Sequence, residues 1–235
     1  MVYNCVRWLQ TRLFPLHCRL CTAAVSSGYG LCTACREELP WLGTHCARCA
    51  CPLPATRHDL PCGRCQRRPP AFDATTALFH YRPPVDHLIR RLKFSHELGL
   101  SPLLAGLLAQ RLATRTAPLP GLLIPVPLHR TRLRERGFNQ ATELARCLGR
   151  TLGIAHDQRL CTRQRNTRPQ SLLPATARRL NLRNAFAVTG ALPAAHVAII
   201  DDVMTSGHTG DELARTLKRC GAHYVELWVI ARAGR

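Results

Sequence analysis

Apolar positions along this chain switch between strand-like runs and helical spacing, and the switches predict its elements. Phe72–Tyr81 reads as a strand. Pro84–Phe94 places Val85, Leu88, Ile89 and Leu92 at helical spacing, and Leu98–Thr114 continues as a second helix. Gly121–Pro127 is a short apolar strand closed by Pro125 and Pro127. Helical spacing returns over Phe138–Leu152, at Leu144, Ala145, Leu148 and Leu152. Arg159–Arg183 is polar and only weakly periodic. Val197–Ile200 is a short apolar run that reads as a buried strand. A helix over Gly210–Cys220 and a strand over Tyr224–Ala231 close the chain. Strands alternating with helices predict an α/β fold, a parallel sheet with helices on both faces.

The junction after Val197–Ile200 is the most informative stretch. Asp201 and Asp202 are expected at the carboxyl end of that strand, where open α/β sheets bind ligands. Met204, Thr205, Ser206, Gly207, His208 and Thr209 follow as a turn that opens a helix. A helix N-terminus offers unpaired backbone N–H groups and positive potential, which suits a phosphate. A sugar 5-phosphate explains both halves, with its hydroxyls on the carboxylates and its phosphate in the turn. A plain strand–turn–helix capped by Asp202 or Thr205 accounts for one of these polar residues and not for five together.

Charge changes the picture next. The 235 residues carry a formal charge of +19, nearly all from arginine, since only Lys93 and Lys218 are lysines. Such a balance points to an anionic partner: nucleic acid, phosphates or a membrane surface. Arg130, Arg132, Arg134 and Arg136 place four guanidinium groups within seven residues, after a strand end and a tight loop at Pro125–His129. Guanidinium forks bind phosphate bidentately, although a solvated basic turn has the same composition. Gly137 permits close backbone approach, and Asn139 and Gln140 suit a helix cap or a base contact. A second polar stretch, 163–170, contains Arg163, Arg165 and Arg168 and reads as a loop able to cover the site. Stacking platforms are sparse, because Phe72, Phe79, Tyr81, Phe94, Phe138 and Phe186 read mostly as core.

The cysteines define a separate N-terminal half. Ten of the thirteen fall before residue 66, and eight form Cys-x-x-Cys pairs: Cys18/Cys21, Cys32/Cys35, Cys46/Cys49 and Cys62/Cys65. Paired thiolates on a knuckle suit tetrahedral zinc, and four pairs supply two four-cysteine sites. The simplest pairing is sequential; a cross-braced one has the same spacing, and Cys51 is a competing ligand. Without an open coordination position such sites are structural. No secretory signal accompanies the cysteines, which argues against a disulfide framework. With zinc bound, the net charge stays at roughly +15. The run Gln66–Pro70 reads as a linker, so residues 1–68 form a zinc-binding domain and 69–235 the α/β domain. Met1–Leu16, broken by Arg7 and Arg12, reads as a short amphipathic helix rather than a signal peptide. No apolar run approaches the ~18 residues of a membrane span, so no membrane insertion is expected.

The Asp201–Thr209 segment resembles the phosphoribosyl-pyrophosphate (PRPP) loop of type I phosphoribosyltransferases, with Ser206 in place of a second threonine. Over nearly the whole chain, the motif order resembles the ComF family. The cysteine pairs come first, then Pro125-Val-Pro-Leu-His129, Arg136-Gly-Phe-Asn-Gln140, Arg163-x-Arg-x-Thr-x-x-Gln170, Arg179-x-Asn-Leu-Arg-x-Ala-Phe186 and Asp201-Asp-Val203. This resemblance implies a zinc finger joined to a type I phosphoribosyltransferase domain. It also implies a cytoplasmic role in DNA uptake or utilisation, with single-stranded DNA and other uptake proteins as partners. By the same resemblance Asp201, Asp202, Met204, Thr205, Ser206, Gly207, His208 and Thr209 bind PRPP with Mg²⁺, and His129, Arg130, Arg163 and Arg165 form the pyrophosphate loop and hood. Arg132, Arg134, Arg136, Arg165 and Arg168 are the candidate DNA contacts. The alternative is a phosphoribosyltransferase of unstated acceptor with no direct DNA role.

Overall fold

A computed structural model describes residues 16–25, 30–56, 60–165 and 184–234. The expected N-terminal helix, Leu16 apart, lies outside the described residues, as do Arg168 and most of the 163–183 segment. The cysteine-rich part contributes β1 (Leu16–His17) and β2 (Ala24–Val25), paired antiparallel, and two helical turns, α1 (Thr33–Glu37) and α2 (Gly63–Arg67). The remainder runs β3 (Ala74–His80), α3 (Val85–Phe94), α4 (Leu100–Ala113), β4 (Leu122–Pro125), α5 (Arg130–Arg136), α6 (Gln140–Leu152), β5 (Ala155–His156), β6 (Cys161–Arg163), β7 (Phe186–Val188), β8 (His196–Met204), α7 (His208–Arg219) and β9 (Tyr224–Arg232).

Five strands form one parallel sheet in the order β3-β9-β8-β4-β5, while β6 and β7 pair antiparallel outside it. Strand β8 shows why the apolar runs are continuous. Val197 and Ile199 belong to one core with Leu213, Ala214 and Leu217 of α7. Ala198 and Ile200 belong to the other, with Leu144 and Leu148 of α6 and the leucines of α4. A strand buried on both faces needs an apolar residue at every position. Helix α7 lies so close to β9 that a Cβ at Gly210 would come within 2.7 Å of the Leu227 side chain.

Two expectations change. Strand β8 does not end before the carboxylates; it carries Asp201 and Asp202 within it and stops at Met204. The reason is β9, which is equally long and pairs Val203 with Ala231 and Met204 with Arg232. The arginine-rich loop after β4 is a helix, α5, ended by Gly137 at φ 76°, whose N–H donates to Leu133 O at 2.8 Å. Its only apolar residue is the exposed Leu133, so there was no periodic stripe to announce it.

The cysteine-rich part straddles the β3 edge of the sheet. Leu42 N–H donates to Leu78 O at 2.7 Å and His80 N–H to Pro40 O at 2.8 Å, covering backbone that an edge strand leaves open. From there the two halves diverge. Cys18, Leu31 and Leu39 pack into the core that holds α3 and α4. Cys46, Cys49, Cys62 and Cys65 pack into the core that holds α7.

Candidate functional site

The metal ligands group sequentially. The sulfurs of Cys18, Cys21, Cys32 and Cys35 lie within 4.8 Å of one another, and so do those of Cys46, Cys49, Cys62 and Cys65. Tetrahedral zinc with 2.3 Å bonds to sulfur spaces its ligands about 3.8 Å apart. Cys21 Sγ lies 3.6 Å from Cys32 Sγ, and Cys49 Sγ 3.7 Å from Cys62 Sγ, distances that fit shared zinc and exceed a disulfide bond of about 2.05 Å. Cys51 is outside both groups; its carbonyl instead accepts from Cys46 N–H at 2.8 Å and closes the knuckle. Two four-cysteine groups of this geometry point to two structural zinc ions.

The second candidate centre lies at the carboxyl ends of the parallel strands. Asp201 lines a small pocket with Thr205, Gly207 and Thr209, the residues of the turn into α7. Gly207 holds that turn at φ 82°, a left-handed value that favours glycine. Ser206 Oγ is buried there without a hydrogen-bond partner among the described residues. His208 and Thr209 open the helix. Burial, and then the neighbouring Asp202 carboxylate, push the Asp201 carboxyl up from its ordinary 3.8 to about 8.

Asp202 takes a different partner from its neighbour. Consecutive strand residues face opposite ways, and Asp202 meets Lys93 at the end of α3, with Nζ 2.5 Å from Oδ2. Burial works against the Lys93 charge, but the Asp202 carboxylate outweighs it and raises the ammonium's pKa. Lys93 was not among the residues picked out from sequence. The available signal was its rarity, one of two lysines in a chain that otherwise uses arginine.

Lys93 also opens onto a cleft of about 510 Å³ lined by Phe94, His96, Arg132, Glu135 and Arg136. Helix α5 sorts the four arginines expected there. Arg132 and Arg136, one turn apart, line the cleft, whereas Arg130 and Arg134 are exposed and do not line it. His129 caps the helix, its Nδ1 accepting from Thr131 N–H at 3.3 Å. Asn139 caps α6, accepting from Ala141 N–H at 3.1 Å while donating to Val126 O at 3.0 Å. Arg163, on β6, stands 5.7 Å from the Phe186 ring centre, and burial, then the field of Arg132, bring its pKa down to about 10. Asp201 acts on it in the opposite sense, so Asp201, Arg132 and Arg163 share one field. Arg165 is exposed beyond β6.

A buried arginine joins the two candidate centres, and it too was missed in the sequence. Arg232, the last residue of β9, donates through Nε to Cys49 O at 3.1 Å and through Nη1 to Met204 O at 3.1 Å. The same Nη1 reaches Thr205 O and Ala233 O. One guanidinium therefore ties the second zinc knuckle to the start of the Thr205–Thr209 turn.

Residues 9–66 match the double zinc ribbon domain. Over 223 residues, 93% of this chain and 97% of the relative, the sequence is 37% identical to DNA utilization protein YhgH of Salmonella typhi. The same protein of Escherichia coli strain K12 is 38% identical over the same shares. Competence protein F of Haemophilus influenzae is 36% identical over 211 residues, 87% of this chain and 91% of that one. The likeness runs through ribbon and sheet alike, and the chain belongs to the ComF family of these DNA utilization and competence proteins.

Proposed function

We propose that this chain is a competence or DNA-utilisation protein that handles single-stranded DNA in the cytoplasm and carries a PRPP-binding phosphoribosyltransferase site. The observation that carries this reading is the meeting, at one rim of the sheet, of Asp201, the hydroxyl-rich turn 205–209 and the cations Lys93, Arg132, Arg136 and Arg163. Asp201, with Asp202 behind it, takes the ribose hydroxyls. Thr205, Ser206 and Thr209, with the backbone N–H groups that open α7, take the 5-phosphate. Arg130 and Arg163 stand for the pyrophosphate, whose developing charge a guanidinium stabilises. Mg²⁺ comes with the ligand and is held mainly by its oxygens. The names of the relatives support the DNA role, as does the excess of basic side chains. Among the described residues no helix is long and apolar enough to cross a membrane.

Calorimetric titration with Mg–PRPP tests the first half, and anisotropy of a labelled oligothymidylate across a salt series tests the second. Each strand phosphate neutralised contributes a log–log salt slope of about −0.7. Replacing Arg132, Arg134 and Arg165 together by alanine is expected to flatten that slope by up to about two units with zinc content unchanged. Wild-type affinity and slope in this variant would remove the basic segments from the DNA path. Pyrophosphate release with a free base, and no affinity for the oligonucleotide, would favour a phosphoribosyltransferase without a direct DNA role.

A further inference from the structure

Among the described residues Phe94 is the most exposed aromatic, ahead of Tyr224 at 44% and Trp41 at 39%. Phe72, Phe79 and Phe186 are buried, and Tyr81 and Phe138 are partly buried against the core. Phe94, the last residue of α3, is 67% exposed. It lies in the 510 Å³ cleft, a volume within the range that encloses a small ligand. The Arg136 guanidinium stands 5.3 Å from its ring centre, and His96 stacks at a tilt on Phe138, 5.6 Å between centres. Three cations and one carboxylate line the walls. An exposed ring with guanidinium groups beside it is the chemistry that holds an unstacked base and its phosphate.

We propose that this cleft binds one nucleotide of single-stranded DNA, its base against the Phe94 ring and its phosphate on Arg132 and Arg136. The inference rests on the DNA role proposed above and adds a base-contacting site to it. Lys93 places the site beside Asp202, so a strand held there lies next to the proposed ribose-phosphate centre. Duplex DNA is a poor ligand, because its bases are already stacked. Phe94 supplies no charge, so it contributes affinity without contributing to the salt slope.

The test is Phe94→Ala in the full chain, with oligothymidylate, a matching abasic sugar-phosphate oligomer, and a duplex of the same length. Loss of one stacking platform is expected to weaken oligothymidylate binding by roughly fivefold to a hundredfold. The salt slope, the affinity for the abasic oligomer and the affinity for Mg–PRPP are expected to stay at wild-type values, and Phe94→Trp is expected to restore binding. A 2-aminopurine in the strand is expected to lose fluorescence on the wild type and to keep it on Phe94→Ala. If Phe94→Ala binds oligothymidylate as the wild type does, while the Arg132, Arg134 and Arg165 triple variant does not, the cleft proposal fails and the DNA reading stands. If the wild type binds no oligonucleotide at any salt concentration, both fail.

Discussion

In the first four-cysteine group Cys21 is exposed and Cys32 and Cys35 are half-buried, whereas all four cysteines of the second group are buried. Their attachments differ in the same sense. Besides the apolar packing of Cys18, Leu31 and Leu39, the first half is hydrogen-bonded to the helical layer through exposed side chains: Arg91 donates to Arg19 O at 3.0 Å, and Arg36 to Gln110 Oε1 at 2.7 Å. The second half is joined to the sheet by buried or part-buried bonds to its own backbone. Thr75 N–H donates to Ala47 O at 3.0 Å, Thr75 Oγ1 to Arg48 O at 2.7 Å, and Arg232 Nε to Cys49 O. A zinc ion held by four thiolates carries a net charge of about −2, which favours the buried Arg232 guanidinium beside it. The same Cys-x-x-Cys pairs thus serve two purposes. The first half clasps the face that holds α3 and Lys93, and the second is built into the face that holds the 205–209 turn.

The largest expected effect separates the two halves. Structural zinc contributes about 10–16 kcal/mol of apparent binding energy in small domains, energy that is also folding energy. Cys62→Ser is expected to lose one zinc by elemental analysis, to melt the knuckle formed by Cys46, Cys49, Cys62 and Cys65 and to abolish Mg–PRPP binding. Cys32→Ser is expected to lose one zinc as well, yet to keep the sheet by circular dichroism and to change PRPP affinity far less than Cys62→Ser does. Equal loss of PRPP binding in both variants would break the comparison.

Arg232→Met sharpens it. Removing the guanidinium orphans several carbonyl groups, each worth about 1–3 kcal/mol. The urea midpoint is expected to drop sharply, and PRPP affinity to fall with it, while both zinc ions remain. Lost stability with unchanged PRPP affinity, measured below the unfolding transition, would show that the arginine supports the fold and not the turn.

The two carboxylates probe the two faces one at a time. Asp201→Ala is expected to weaken PRPP roughly tenfold, the value of a hydrogen bond to a ribose hydroxyl. Asp202→Ala is expected to reduce PRPP affinity too. It also strands the largely buried Lys93 ammonium, so it alone costs substantial stability, about 3 kcal/mol. Unchanged PRPP affinity in both, with the fold intact, would move the ligand elsewhere.

The smallest effect is in pH. The Asp201 carboxyl is raised in the folded state to about 8, so between its ordinary 3.8 and that value the folded chain holds the proton that the unfolded chain releases. Stability from this group is present at the acid end of that window and is lost as pH rises through it. Asp201→Asn is expected to flatten the fall in urea midpoint between about pH 6 and pH 8. A fall of the same steepness in the variant would assign the dependence to other groups.

Much of this protein was legible before any tertiary contact was known. The four cysteine pairs carry metal-ligand spacing within a few residues, and sequential grouping is the simplest outcome. Buried parallel strands announce themselves as apolar runs, and α3, α4 and α6 as i, i+3, i+4 spacing. The turn 205–209 was visible because hydroxyls, a glycine and two carboxylates crowd one junction. All of these are local patterns, written in periods of two to four residues. Helix α5 has no such pattern, and without it the four arginines could not be sorted into those lining the cleft and those facing solvent.

What the tertiary structure decided was the partners. Asp202 and Lys93 are far apart in sequence, and only the placement of α3 beside β8 makes them an ion pair. The exposure of Phe94 follows from where α3 ends, since an apolar residue in last position reads as core until the neighbouring surface is known. Arg232 closes an apolar strand and looks like its polar terminus, yet the register of β9 with β8 and the second knuckle bury it among four carbonyls. Local spacing determines which elements form and which residues are candidates to hold metal or phosphate. Contacts across the chain depend on the order in which strands join the sheet, and that order determines which faces those residues share.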